Sequence, residues 1–204
     1  MKNVQAIAEV VSATVSSLVA QSLPSTASGG SGGLSKPRFG SFLRVGSADK
    51  KTAIIAVVND VLTGPIDGVH RPSAFGLSRE ELKAQQPQIF SLLRTDVHAS
   101  IIGYIENGRA YQHLPPHPPE VHDFVYHATA SDIERATSDF EFLRLLSQAT
   151  VGSIDELLAA AIREAYQARR NDDAFLQQAG QAFSQLFRSD YERLVSVLKK
   201  IKPH

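Results

Sequence analysis

Four histidines are the residues of this chain whose type and spacing come closest to suggesting chemistry. His113, His117, His122 and His127 fall within 15 positions, and imidazole is both a common metal ligand and a general acid or base near neutral pH. They straddle a proline-rich corner and a predicted strand, and strand residues five apart, such as His122 and His127, face opposite ways. The pattern therefore favours surface or hydrogen-bonded histidines, and we predict no metal site.

Three aspartates are the candidates for acid or base catalysis. Asp60 and Asp67 lie near the ends of predicted strands, and Asp123 is next to His122, which would suit a general acid and base pair. Because adjacent strand residues point to opposite faces, we do not expect this pair to form. The sequence has no cysteine for a nucleophile, a thiolate ligand or a disulfide. We predict no catalytic residue and no cofactor.

The composition is that of an ordinary globular protein. The 204 residues are 43% hydrophobic, and 21 acidic residues balance 21 basic ones. This neutrality argues against a domain whose main task is to neutralise phosphates, and the length suits two small cores. The apolar run at residues 6–20 is interrupted by Glu9 and by serines and lacks a cleavage site, and no stretch is apolar over the ~18 residues that a membrane span needs. We expect a soluble cytoplasmic protein with no membrane partner.

The N-terminal segment, residues 1–23, carries an apolar stripe at helical spacing. The stripe consists of Val4, Ile7, Val11, Thr14 and Leu18. It predicts an arm helix that either docks on its own protein or self-associates, since a and d positions recur over nearly three turns. Residues 24–36 are rich in glycine and serine, which predicts a flexible tether, and the run Gly-Gly-Ser-Gly-Gly within them also resembles an engineered linker.

Residues 37–129 predict a small β-barrel with an inserted helix. The β-branched run at residues 52–58 has too little polarity for a surface strand, so we predict a central strand buried on both faces. Asn107 and Gly108 form a strong hairpin signal. The other strands are predicted at residues 38–45, 97–106, 109–113 and 121–126.

Residues 130–204 predict a helical region. Capping-box spacing marks the start of the inserted helix and of this region, at Ser78 with Glu81 and at Ser131 with Glu134. Pro87 divides the inserted helix into two short turns. Two later helices, ending near residue 170 and spanning about residues 174–201 with a bend near 188–190, should pack antiparallel. The fold class is therefore α+β: a small β-barrel with an N-terminal arm helix and a C-terminal α-helical hairpin.

The order of these features along the chain resembles that of the HAS barrel, a small β-barrel domain. The resemblance covers residues 37–135 and rests on three stretches: Pro-Arg-Phe-Gly-Ser-Phe-Leu-Arg-Val at residues 37–45, Gly103-Tyr104, and Leu-Pro-Pro-His-Pro-Pro-Glu-Val-His-Asp-Phe-Val at residues 114–125. That barrel precedes the motor of HerA-type DNA translocases and occurs in the ATP-synthase headpiece, where it packs beside its copies and helps to arrange a ring. This chain has no Gly-x-x-x-x-Gly-Lys-Ser/Thr motif, so the resemblance does not imply nucleotide hydrolysis.

These features favour a non-catalytic oligomerisation or adaptor module whose partner is a second copy or another protein. The predicted contact surface is the proline-rich corner, since rigid polyproline costs little entropy to immobilise; it comprises Leu114, Pro115, Pro116, His117, Pro118, Pro119 and Val121. The alternative is a nucleic-acid-associated factor beside a HerA-like translocase, with Phe39 and Phe42 as stacking surfaces unless both point into the barrel. Its basic edge would be Arg38, Arg44, Lys50 and Lys51. An enzyme of unknown type ranks third.

Overall fold

The computed structural model describes residues 5–23, 37–46, 52–66, 73–150 and 152–201. Its strands are β1 (Ala8–Ala13), β2 (Ser17–Ser22), β3 (Phe42–Val45), β4 (Thr52–Pro65), β5 (Leu93–Glu106), β6 (Arg109–Tyr111) and β7 (Phe124–His127). Its helices are α1 (Arg79–Gln85), α2 (Gln88–Ser91), α3 (Ala130–Ala136), α4 (Phe142–Ser147), α5 (Ile154–Ala168), α6 (Asp173–Leu186) and α7 (Tyr191–Ile201).

Six of these strands close into an antiparallel barrel. The sheet order is β2-β1-β7-β3-β4-β5-β6, and β2 also pairs with β5, which joins the two sides of the sheet. The short strand β6 pairs with the end of β5 that β2 does not reach. The predicted α+β class with a small β-barrel is confirmed.

The predicted N-terminal arm helix is wrong, because residues 5–23 form the β1–β2 hairpin; residues 1–4 lie outside the described residues. Ala8 and Val10 are fully buried on one side of the hairpin, and Leu18 and Ala20 are buried opposite them. This is the two-residue period of a strand. The apolar positions fit both the helical and the strand period, and the four valines of residues 5–23 favour the strand.

The turn of this hairpin is held by a threonine side chain. The Thr14 hydroxyl oxygen accepts hydrogen bonds from the backbone N–H groups of Ser16 and Ser17, at 3.2 and 3.0 Å, and such local bonds favour a turn over a continuing helix. The hairpin then fills the gap in the barrel, since β1 pairs with β7 and β2 pairs with β5. The barrel therefore includes residues 8–22 and is not confined to residues 37–129. The predicted tether at residues 24–36 lies outside the described residues.

Small side chains fill the barrel interior. Four alanines are buried there beside branched residues, because a six-stranded barrel leaves little room at its axis. The buried set is Ile7, Ala8, Val10, Leu18, Ala20, Leu43, Val45, Ala56, Val58, Val97, Ala99, Ile101 and Val125.

A second core lies between one outer wall of the barrel and the helices. Ile55 and Val57 of β4 point into this outer core, while Ala56 and Val58 point into the barrel. The prediction that residues 52–58 form a strand buried on both faces is thus confirmed. From the helices, α5 contributes most, and its buried residues include Leu157, Leu158, Ala161, Ile162, Ala165 and Tyr166.

The inserted helix and the hairpin turn agree with their predictions. Ser78 and Glu81 form a capping box at α1, and Pro87 separates α1 from α2. Asn107 and Gly108 both have positive φ, at 49° and 81°, and they join β5 to β6.

The helical region departs from its prediction in two details. The capping box of α3 is formed by Thr129 and Asp132, so the N-cap lies two residues before the predicted Ser131 cap. Asp132 is the better partner because its carboxylate also receives an ion pair from Arg44 at 3.0 Å. The predicted bend at residues 188–190 is a break, with α6 ending at Leu186 and α7 beginning at Tyr191.

Candidate interaction surface

The described helices pack against one side of the barrel. The outer core takes buried strand residues from β3, β4 and β5, and it includes no buried residue of β1 or β7 within the described chain. The outward side chains of β1 and β7 are therefore left on a separate face. We call this the open barrel face and define it as Glu9, Val11, Val121, His122 and Phe124.

Three large apolar side chains lie exposed on the open barrel face. Val121 is 53% exposed, Phe124 is 46% exposed and Val11 is 43% exposed. Their strand neighbours Val10 and Val125 are fully buried inside the barrel. The exposure of Val11 and Phe124 thus follows from the strand alternation, and Val121 lies in the turn just before β7.

Backbone hydrogen bonds hold this face rigid. The Ile7 N–H donates to the Val125 carbonyl at 2.8 Å, and the Val10 N–H donates to the Asp123 carbonyl at 3.0 Å. The His122 N–H donates back to the Val10 carbonyl at 2.8 Å. The segment after the proline-rich corner is therefore tied to β1 before β7 begins.

The proline-rich corner is partly anchored and partly exposed. Pro115 and Pro119 are buried, whereas Pro116, His117 and Pro118 are exposed. Of the predicted contact surface, Leu114 and Val121 are also exposed, and Val121 is the member that joins the open barrel face. The two buried prolines fasten the corner to the protein and offer no side chain to a partner.

The four histidines do not converge. His122 lies on the open barrel face with a φ of 75°, and its Nδ1 contacts the Glu9 carboxylate. Its partner is therefore Glu9 of β1 and not the neighbouring Asp123, whose carboxylate accepts the Glu120 N–H at 3.1 Å. His113 packs edge-on against Tyr104 and Tyr111 at the β5–β6 hairpin.

Within the described residues, no three His, Asp or Glu side chains are grouped so as to hold a metal ion. Of the aspartates considered for catalysis, Asp67 lies outside the described residues, and Asp60 lies directly across from His98 in the β4–β5 ladder. Sequence reasoning missed this pairing, because it follows from the β4–β5 register.

The described arginines of the predicted basic edge are both paired with carboxylates. Arg38 contacts Glu164 of α5 at 2.8 Å, and Arg44 contacts Asp132 of α3 at 3.0 Å. Lys50 and Lys51 lie outside the described residues. The arginines therefore fasten the barrel to the helices.

Neither phenylalanine points into the barrel. Phe42 is buried in the outer core, and Phe39 is 42% exposed. Of the two side chains considered for stacking, only Phe39 is therefore accessible.

A second exposed apolar group lies at the far end of the β4–β5 hairpin, which sequence reasoning did not single out. It consists of Leu62, Ile66, Phe75, Leu77 and Leu92. Strand β2 pairs with β5 only at residues 96–100, so the end of this hairpin extends past the β2 pairing and carries α1, which has no buried residue.

Comparison with known proteins identifies no relative: no protein-family model matches the chain, and no curated protein matches its sequence. Among the described helices, none has the length and apolar character to cross a bilayer.

Proposed function

We propose that this chain is a non-catalytic assembly module, similar to a HAS barrel, whose copies associate through the open barrel face. The observation that carries the proposal is the exposure of Val11, Val121 and Phe124 on a barrel wall that the outer core leaves uncovered. Exposed apolar side chains that lie together on a rigid surface are typical of contact sites. The backbone bonds that fix this face also reduce the entropy lost on binding.

The chemistry of the face suits a second copy of the same chain. A two-fold contact brings the same surface against itself, so the surface must be complementary to its own image. Glu9 and His122 lie in contact beside the three apolar residues. In a two-fold pair, the carboxylate of one copy can accept a hydrogen bond from the imidazole of the other, so that the two carboxylates do not meet.

The architecture supports the likeness to a HAS barrel. A closed antiparallel barrel carries its helices on the outside, as the resemblance implies. Side-by-side packing of such barrels needs an exposed wall of strands, and the open barrel face supplies one.

Sedimentation equilibrium over a wide range of protein concentration tests this function. We expect the mass of the wild-type chain to rise with concentration and that of Phe124→Asp to remain closer to the monomer. Removing a central aromatic contact typically costs ~2 kcal/mol, which is a ~30-fold weaker association. Phe124 is exposed in the monomer, so this change should not unfold the barrel.

Tyr191→Asp is the matched control. Tyr191 is 77% exposed at the start of α7, so the variant makes a similar change away from the open barrel face and should associate like the wild type. A wild-type chain that stays monomeric at every concentration would refute the assembly function. Equal weakening by both variants would refute the choice of this face.

The described residues of the predicted basic edge do not favour nucleic-acid binding as a second function. The two described arginines of the predicted basic edge are held by Glu164 and Asp132. Each of these arginines thus already has a neutralising carboxylate beside it, which weakens its attraction to a phosphate.

A further inference from the structure

A cavity of ≈ 680 Å³ lies between the barrel and the start of α5. Its walls are formed by Phe39, Asn59, Asp60, His98, Thr150 and Glu156, with a smaller part from neighbouring residues. A second cavity of ≈ 390 Å³ adjoins it and shares Asn59, His98 and Thr150. We call the larger cavity the bulge cleft.

A β-bulge in β4 creates the polar wall of this cleft. The register shifts between Val58 and Asp60, so that Val58 and Val61 both pack on the barrel interior although they are three residues apart. The two residues between them, Asn59 and Asp60, are thereby both directed outwards, where a regular strand would place only one. Bulges commonly re-aim side chains in this way at functional sites.

The opposite strand adds a third polar side chain. Val97 and Ala99 of β5 face the barrel interior, so His98 faces outwards, directly across from Asp60. The bulge therefore gathers an amide, a carboxylate and an imidazole on one small area of the barrel wall.

The preceding loop places an aromatic ring beside this area. The Gly40 N–H donates to the Val58 carbonyl at 2.8 Å, and the Val58 N–H donates to the Ser41 carbonyl at 2.9 Å. Gly40 also lies against Ala160 of α5 so closely that a Cβ on it would be 2.3 Å from the Ala160 Cβ. The loop is thus fixed to both walls, and it holds Phe39 in the cleft.

The hydrogen bonds already made leave the cleft rich in acceptors. The Asn59 Nδ2 donates to the Ser100 hydroxyl at 2.8 Å, which leaves its carbonyl oxygen as an acceptor. One carboxylate oxygen of Asp60 accepts the Val61 N–H at 2.8 Å, and the carboxylate has further acceptor sites. Glu156 is neutralised by Lys200 at 2.7 Å. Among the described lining residues of the cleft there is no lysine or arginine.

We propose that the bulge cleft binds small alkylammonium ions, such as the protonated forms of aliphatic diamines. An ammonium group donates three hydrogen bonds and accepts none, which matches the acceptors of Asn59 and Asp60. Phe39 lines the same cleft, and an aromatic ring attracts a cation that lies over its face. Anions meet the Asp60 carboxylate with no described lining lysine or arginine to offset it, and neutral alcohols gain neither the charge attraction nor the cation–π contact.

Calorimetric titration of the full chain tests this proposal, with putrescine as the probe and 1,4-butanediol as its neutral counterpart of equal chain length. We expect putrescine to bind and butanediol not to bind. Asp60→Asn should weaken putrescine binding at least ~10-fold by removing the charge. Phe39→Leu should weaken it ~2- to 5-fold, because the apolar surface remains and only the aromatic face is lost.

Glu192→Gln is the matched control, since Glu192 is an exposed carboxylate on α7 outside the cleft. It should leave binding within ~2-fold of the wild type if the cleft is the site. Equal weakening by Glu192→Gln and Asp60→Asn would show unspecific attraction to acidic surface and overturn the proposal. Equal binding of putrescine and butanediol, or no binding of putrescine, would also overturn it. A cooperative thermal unfolding transition confirms that each variant is folded. If Asp60→Asn does not fold, the comparison of Phe39→Leu with Glu192→Gln decides the outcome.

Discussion

Replacing Gly40 by alanine should loosen the joint between the barrel and the helices. Gly40 has a φ of +83°, and a Cβ on it would lie 2.3 Å from the Ala160 Cβ and 3.0 Å from the Ala160 carbonyl carbon. Carbon atoms are comfortable at about 3.5–4.0 Å. Because the second of these atoms belongs to the backbone of α5, the clash cannot be relieved by turning a side chain.

The expected change in the free energy of unfolding is the sum of three contributions. A left-handed φ costs a residue with a Cβ ~1–2 kcal/mol, and overpacking of a tight contact costs ~1–3 kcal/mol. Removing a glycine stabilises by ~0.4–1 kcal/mol through the unfolded chain. We therefore expect Gly40→Ala to lower the free energy of unfolding by about 1–5 kcal/mol, measured by urea denaturation followed by circular dichroism.

Gly180→Ala is the control for this prediction. Gly180 lies inside α6, and a Cβ on it would meet nothing within 4 Å. It should raise stability by up to ~1 kcal/mol, since alanine is the better helix former.

The double variant Gly40→Ala with Ala160→Gly should restore part of the loss, because it removes the nearest clashing atom but not the Ala160 backbone. Additive effects of the two single changes would argue against a direct contact. Gly40→Ala as stable as the wild type would refute the geometry of this joint.

Two further predictions test the N-terminal hairpin and a tyrosine of α5. Leu18→Ala should lower the free energy of unfolding by ~2–5 kcal/mol, because Leu18 is only 2% exposed. Val11→Ala should lower it by less than ~0.5 kcal/mol, because Val11 is 43% exposed. Similar losses for both variants in urea unfolding would favour the predicted helix, in which the two residues share one apolar stripe. A hydrogen bond to the Asp173 carboxylate raises the pKa of Tyr166, so this group contributes stability below the ordinary tyrosine pKa of about 10 that is lost as pH rises through the raised native value. Tyr166→Phe should therefore flatten the alkaline fall in stability measured by urea unfolding, and an unchanged slope would contradict the assignment.

The buried strand and the helices could be predicted because their patterns admit one interpretation. The run at residues 52–58 is too apolar for a surface strand, and α5 carries its apolar residues on a helical period. Both features depend on local sequence, and both were correctly predicted.

The N-terminal hairpin was mispredicted because its apolar positions satisfy two periods. Val11 and Leu18 fit a helical stripe, yet the strand pairing with β7 and β5 decides the outcome. The bond from the Thr14 side chain to the turn is local, and the threonine and serines at residues 14–17 were the available signal for a turn.

The polar wall of the bulge cleft was not predictable from local sequence. Asn59 and Asp60 directly follow the strand predicted at residues 52–58. The register shift against β5 is what directs both side chains outwards. The open barrel face was found only in part, through Val121. Its other apolar members, Val11 and Phe124, lie in segments that the sequence assigned to a helix and to a strand of unknown neighbours.

Disulfide cross-linking tests the assembly claim most directly, because the chain has no cysteine of its own. Single variants Val11→Cys, Val121→Cys and Phe124→Cys place one thiol on the open barrel face, and Tyr191→Cys places one on α7. After mild oxidation of dilute protein, we expect covalent dimers from the open-face variants and little dimer from Tyr191→Cys. Dimers formed as readily by Tyr191→Cys, or none formed by any open-face variant, would contradict association through this face.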